Sequence, residues 1–183
     1  DEEAITISKN MEKFKNLNVK FFINNYATIK ILSNKIATFK KLKNFKKIIP
    51  IWDEAKNKKK LLKYIDIYLK KYGSVVVKPS ISRGGRNVFI IENKKLIRKN
   101  TNRERNTELS YFKKNYLNKL KNNYPLMVME KLNDPVFDLD IIAENGKLDF
   151  TLLRKRLNPR DPNSGHKIIM RKDIGFIAKK ISA

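Results

Sequence analysis

Lys78, Ser80, Ser82, Arg83 and Arg86 fall within one stretch, "KPSISRGGR", with Gly84 and Gly85 set between the two arginines. These residue types suit one chemistry, the holding of an anion and of phosphate above all. The cations neutralise charge, and the two hydroxyls and the backbone N–H groups donate hydrogen bonds. The paired glycines let the backbone bend over a ligand, because they lack the Cβ that forbids most such conformations. The flanking runs, 74–78 and 87–92, are apolar and β-branched, so both read as strands. A phosphate loop of the nucleotide-triphosphatase kind sits between a strand and a helix and uses the helix N-terminus. Here no helix follows, so side chains and loop amides would carry the binding. A charged surface hairpin is the other reading of the same residues.

Composition excludes several alternatives. There is no cysteine and only one histidine, His166, among 183 residues. Disulfides, thiolate nucleophiles, cysteine zinc sites and multi-histidine metal sites are therefore absent. The lack of cysteine fits a reducing cytoplasm, which is the expected location. No apolar stretch approaches the ~20 residues of a membrane helix, and no signal peptide is visible. The chain starts at Asp1, as an excised piece would. Lys and Arg number 42 against 18 Asp and Glu, a net +24. Such a field attracts phosphates. An AT-rich coding bias would also enrich lysine, asparagine and isoleucine, and screening of an acidic partner is a third reading.

The elements that must position the loop alternate in type. A loosely helical pattern covers 3–16. "VKFFI", 19–23, reads as a short buried strand. Helices are expected at 25–32 and 35–44, with Asn24 or Asn25 and Ser33 or Asn34 as N-caps. Pro50 breaks the chain. A helical stripe of Leu61, Leu62, Ile65, Tyr68 and Leu69 marks a helix over about 53–71, which Gly73 is placed to end. After the strand–loop–strand, a polar helix is expected at about 103–121. Strands follow at 125–130, 136–143 and 147–156, the last two joined through the "ENGK" turn. "NPRDPNSGHK", which holds Arg160 and His166, reads as a surface loop, and a helix begins near 172.

Lys78-Pro79 with "SRGGRNVF", a polar helix and then "VMEKL" resembles the ATP-grasp superfamily, in particular its carbamoyl-phosphate-synthase-like members. "SNKIATFKKL" is similar to the family's Asp-Lys helix, "MVMEKLNDPVFDLDIIAENGKLDF" to its hinge strand and hairpin, and "LLRKR" to its arginine strand. The order is kept over nearly the whole chain. The resemblance implies an α+β ATP-grasp fold: a preceding-domain tail and connecting helices over 1–47, a small nucleotide-clamping lobe over 48–130, and an incomplete second lobe over 131–183.

It also implies roles. Lys35 and Lys78 would bind ATP phosphates, and the loop of Ser80, Ser82, Arg83, Gly84, Gly85 and Arg86 would close over them. Glu130, with the backbone of Lys131 and Leu132, would meet adenine. Arg154, with Arg156 nearby, would face the reacting carboxylate. Phosphoryl transfer needs charge neutralisation more than covalent help. The implied activity is that of an ATP-dependent carboxylate–amine ligase acting through an acyl phosphate, with small carboxylate and amine substrates and the remainder of the domain as partners. The sequence departs from the family pattern in three places. Asn34 stands where an aspartate is usual. Val136 stands where a ribose-binding carboxylate is usual, for which Asp134 or Asp138 is the substitute. The Glu-x-Asn stretch that holds magnesium would lie beyond Ala183. The alternatives are a catalytically silent ATP-grasp scaffold and a basic nucleic-acid-binding module. Against the latter, the aromatics read as core stripes and no sequence-reading motif is evident, so specific nucleic-acid binding is not expected.

Overall fold

The computed structural model describes residues 2–19, 21–45, 49–82, 85–93 and 104–182. The chain is mixed α+β and divides into two units, Asp1–Lys131 and Leu132–Ala183.

The first unit is built on a five-stranded sheet: β1 (Trp52–Ala55), β2 (Ser74–Pro79), β3 (Val88–Glu92), β4 (Glu104–Glu108) and β5 (Leu126–Met129). The spatial order is β1-β5-β2-β3-β4. Only β3 and β4 pair in parallel. Strand side chains alternate between faces, and here each face has its own cover. Val75, Val77, Phe89, Ile91, Leu126 and Val128 point to one side. There they pack with Leu61, Ile65, Tyr68 and Leu69 of helix α5 (Lys58–Tyr72). Phe112 of α6 (Leu109–Asn115) and Leu117 and Leu120 of a 3₁₀ segment (Leu117–Asn123) complete this core. The sheet's other face carries Trp52, Val76, Met127 and Met129, packed with Ile36 and Phe39 of α4 (Lys35–Lys41). Lys40 of α4 also pairs with Glu54 at 2.5 Å. Three short helices, α1 (Glu2–Lys9), α2 (Met11–Lys15) and α3 (Tyr26–Leu32), precede α4.

The expected caps resolve cleanly. Asn25 Oδ1 accepts from the Thr28 amide, and Asn34 Oδ1 accepts from Ile36 and Ala37. Gly73 ends α5 in the left-handed conformation, at φ 71°.

Several expectations need correction. Residues 21–23 form no strand. No partner strand meets them: Phe21 packs on the Phe14 ring while Phe22 is fully exposed. The helix expected from 53 starts only at Lys58, because Asn57 caps it by accepting from the Lys60 amide. Residues 52–55 instead pair with β5 as strand β1. The helix expected over 103–121 begins at Leu109, and Glu104–Glu108 is the edge strand β4. "ERNTE" has no apolar residue, so periodicity carried no sign of it.

The second unit holds a three-stranded antiparallel sheet, β6 (Phe137–Glu144), β7 (Lys147–Arg156) and β8 (His166–Ile168), in that order, with helix α7 (Lys172–Ser182) packed on it. The expected hairpin turn holds, with Asn145 and Gly146 both at positive φ. His166, expected in a loop, pairs across β8 with Arg156.

Candidate functional site

Two clusters of charged side chains stand out, one in each unit. The first lies on the α4 face of the five-stranded sheet. Lys78 ends β2 on that face, in register with Met127. Val77 faces Phe89, and Val88 faces Glu104, so Lys78 and Glu104 flank Val88 at one end of the sheet. The Lys78 ammonium sits 5.8 Å from the centroid of the Phe39 ring, a cation–π contact. Burial pulls the Lys78 amine down from its ordinary 10.5 to about 8. The nearby Lys35 charge pushes the same way, and Glu104 opposes both. Burial lowers Lys35 as well.

Lys35 reaches this cluster from the first residue of α4. Its amide donates to the Ser80 carbonyl at 2.8 Å, and its Nζ donates to the Ser82 carbonyl at 2.9 Å and to Ser82 Oγ at 3.0 Å. These three contacts tie the helix start to the Ser80–Ser82 chain. A cavity of about 220 Å³ opens beside Lys35 and Ser82, walled on its apolar side by Ala4, Ile29 and Leu32. Lys35, Lys78, Ser80 and Ser82 are therefore drawn together although 43 residues separate the two lysines in sequence. Arg83 and Gly84 lie outside the described residues. Gly85 stands at φ 75° and its carbonyl accepts from the Val88 amide at 3.2 Å, closing the turn into β3. That φ is where a residue without a Cβ is required. Arg86 is exposed. Sequence reasoning missed Phe39 and Glu104. The spacing Lys35 to Phe39 puts both on one helical face and could have revealed the first. Nothing in "ERNTE" could have revealed the second.

The expected hinge residues are engaged within the first unit. Glu130 and Ile51 exchange two bonds: the Glu130 amide donates to the Ile51 carbonyl at 3.1 Å, and Glu130 Oε1 accepts from the Ile51 amide at 2.7 Å. Lys131 Nζ pairs with Glu92 at 2.8 Å. Leu132, which begins the second unit, is exposed.

The second cluster lies on one face of β6 and β7. Asp138 accepts two bonds from Arg156, at 2.7 and 2.6 Å, and His166 Nε2 lies 3.0 Å from its Oδ2. The Arg156 bonds, helped by His166, hold the Asp138 carboxyl down at about 2. A carboxylate only accepts, so His166 Nε2 carries the proton in this contact. Arg154 Nη2 pairs with Asp140 at 2.8 Å, while its buried Nε has no partner among the described residues. Asp138 and Asp140 are two residues apart on β6, so they share one side of the strand, and there each meets an arginine of β7.

Among the described residues no three His, Cys, Asp or Glu side chains come together in a way that could hold a metal ion. No helix among them is long and apolar enough to cross a membrane. No protein-family model matches the chain, and no curated protein matches it.

Proposed function

We propose that this chain is the ATP-binding portion of an ATP-grasp carboxylate–amine ligase. The observation that carries the reading is the meeting of Lys35 and Lys78 beside the Ser80–Ser82 chain. Two ammonium groups, close enough for one to depress the other, stand beside the Ser82 hydroxyl, which contacts Lys35 Nζ. Bringing like charges together under partial burial costs stability. A polyanion bound by both would offset that cost, and a triphosphate is a ligand that carries several negative charges along one short chain. The strand–loop–strand frame supports the same reading, because it leaves the loop amides from Gly85 onward near the sheet end that carries Lys78.

On this reading Lys35 and Lys78 neutralise phosphate oxygens, and the loop hydroxyls add donors. Glu130 shapes the hinge through its bonds to Ile51, with Lys131 and Leu132 offering backbone groups to adenine. The second unit, taken by itself, offers Asp138 as the substitute carboxylate and Arg154 and Arg156 as the cations that the family resemblance assigns to ribose and to the carboxylate substrate.

The test is ATP titration by calorimetry of the 183-residue chain and two variants. Lys78→Ala removes one charge-assisted contact, worth roughly 1.5–3 kcal/mol, and lowers ATP affinity about ten- to hundredfold. Lys59→Ala, an exposed lysine on α5 across the sheet, changes affinity less than about twofold, in keeping with a screened, distant charge. Equal losses in both variants would mean that the general field of the chain binds the nucleotide, and the reading would fall.

A further inference from the structure

The positive charge is not spread evenly. Residues 56–72 and 109–123 together carry eleven lysines and one acid, Asp66. All eleven lysines are exposed. These residues form α5, α6 and the 3₁₀ segment, the layer that covers one face of the five-stranded sheet. Lys58 Nζ reaches Asn118 Oδ1 at 3.2 Å, so the two halves of the layer adjoin. Asp66 is already paired with Lys70 at 2.9 Å. The apolar sides of these helices are buried, which forces their lysines outward into one basic surface. A coding bias would enrich lysine throughout, yet residues 132–183 hold ten basic and seven acidic residues and are nearly balanced.

We infer that this helical layer is a sequence-independent docking surface for the phosphate backbone of duplex nucleic acid, on the opposite sheet face from Lys35 and Lys78. Helix α5 has 15 residues and so runs about 22 Å. Over that length a duplex presents one phosphate charge about every 1.7 Å of its axis. Lys59, Lys63 and Lys70 recur along one stripe of α5, and Lys113, Lys114 and Lys121 extend the surface sideways. A small multivalent anion needs donors that converge, whereas these diverge over a convex layer. An anionic membrane surface would favour a continuous apolar face among the lysines, whereas here Ile67 and Tyr111 are two large apolar side chains exposed among eleven lysines. A hydrated, repeating line of phosphates is the partner that fits. The inference is independent of the ligase reading, since none of its lysines belongs to the proposed nucleotide site.

The experiment is fluorescence anisotropy with a labelled 20-base-pair DNA duplex of mixed sequence and a second of unrelated sequence. The full chain binds both alike at 50 mM salt. Affinity falls about a hundredfold by 200 mM, as expected for about four phosphate contacts. The quadruple variant Lys59→Gln, Lys63→Gln, Lys113→Gln, Lys114→Gln weakens binding at 50 mM by tenfold or more and flattens the salt dependence. The same four positions changed to Arg retain both affinity and slope, which separates loss of charge from loss of folding. A control with four exposed lysines of the other side changed to Gln (Lys9, Lys13, Lys30, Lys43) weakens binding less than about threefold. Equal losses in the two glutamine variants would overturn the inference, because the overall field would then be the cause. Absence of duplex binding at 50 mM would also overturn it. So would capture by phosphatidylserine vesicles that the helical-layer variant abolishes while duplex binding persists.

Discussion

Lys78 is the residue whose protonation the structure alters most usefully. Its amine is pulled to about 8 by burial and by Lys35. Only the charged form attracts phosphate, so the folded chain loses anion affinity as pH rises through 8. From pH 7 to pH 9 the charged fraction drops about tenfold, and ATP affinity should fall by a similar factor. Lys78→Arg keeps its charge at all these pH values and should bind with little pH dependence over the same range. A variant that still declines as steeply as the parent would show that another group titrates. Stability runs the other way. The unfolded chain, with an ordinary lysine at 10.5, binds more protons than the folded one between about 8 and 10.5, so Lys78 makes stability rise with pH across that window. Asp138 acts with the same sign in a lower window, because there too the unfolded chain binds the proton more tightly than the folded one. Its depressed carboxyl contributes stability that is present above its ordinary 3.8 and is lost as pH falls toward about 2.

Among the elements, α5 shows how local sequence sets a boundary that the sheet then uses. Asn57 caps its start, and Gly73 ends it with its amide donating to the Leu69 carbonyl at 2.9 Å. The next residue, Ser74, begins β2, which carries Lys78 four residues on. Gly73 holds φ 71°, and a Cβ added there would meet no atom within 4 Å. The cost of Gly73→Ala is therefore conformational alone, about 1 kcal/mol for an L-residue held in the left-handed region. Urea unfolding should show that loss as a lower midpoint with an unchanged slope. An unchanged midpoint would mean that the chain reverses direction there by some other geometry. The cap of α4 works at the same scale. Asn34 fixes the helix start, and the bond from the Lys35 amide to the Ser80 carbonyl sets that start against the loop.

At the scale of the whole molecule the two units differ in how much they bury. The first encloses a connected core on the α5 face, from Ala55 to Val128. In the second, Leu153 and Ala178 are the buried hydrophobic residues among those described, while Ile142, Phe150, Ile168, Met170 and Phe176 are exposed. Local opening is governed by how much apolar contact must be broken. Amide hydrogen exchange should therefore be slower in β2, β3 and β5 than in β6, β7 and β8, by about tenfold or more in rate. Equal protection in both sheets would show that they open only together. The basic surface belongs to this scale too, since it exists only because two separate lysine-rich segments cover the same sheet face.

Much of this was legible in the residues. The stripe of Leu61, Ile65, Tyr68 and Leu69 could bury only as a helix, and "SVVVKP" and "VFIIE" could bury only as strands. Asparagine and glycine punctuated them for local steric and hydrogen-bonding reasons, and "ENGK" set the β6–β7 turn. The strand–loop–strand frame around 78–86 was likewise legible, since Gly85 closes the turn into β3. What the residues left open was partnership. "ERNTE" becomes β4 because β3 offers it hydrogen bonds, "WDEA" becomes β1 because β5 does, and residues 21–23 form no strand because no described strand pairs with them. Asp138 could have met any cation, and the register of β7 and β8 chose Arg156 and His166. Lys35 and Lys78 are 43 residues apart, and only the packing of α4 on the sheet brings their charges together. Periodicity and capping act over a few residues and can be read locally. Pairing, register and the meeting of like charges depend on segments distant in sequence, so the tertiary structure alone decided them.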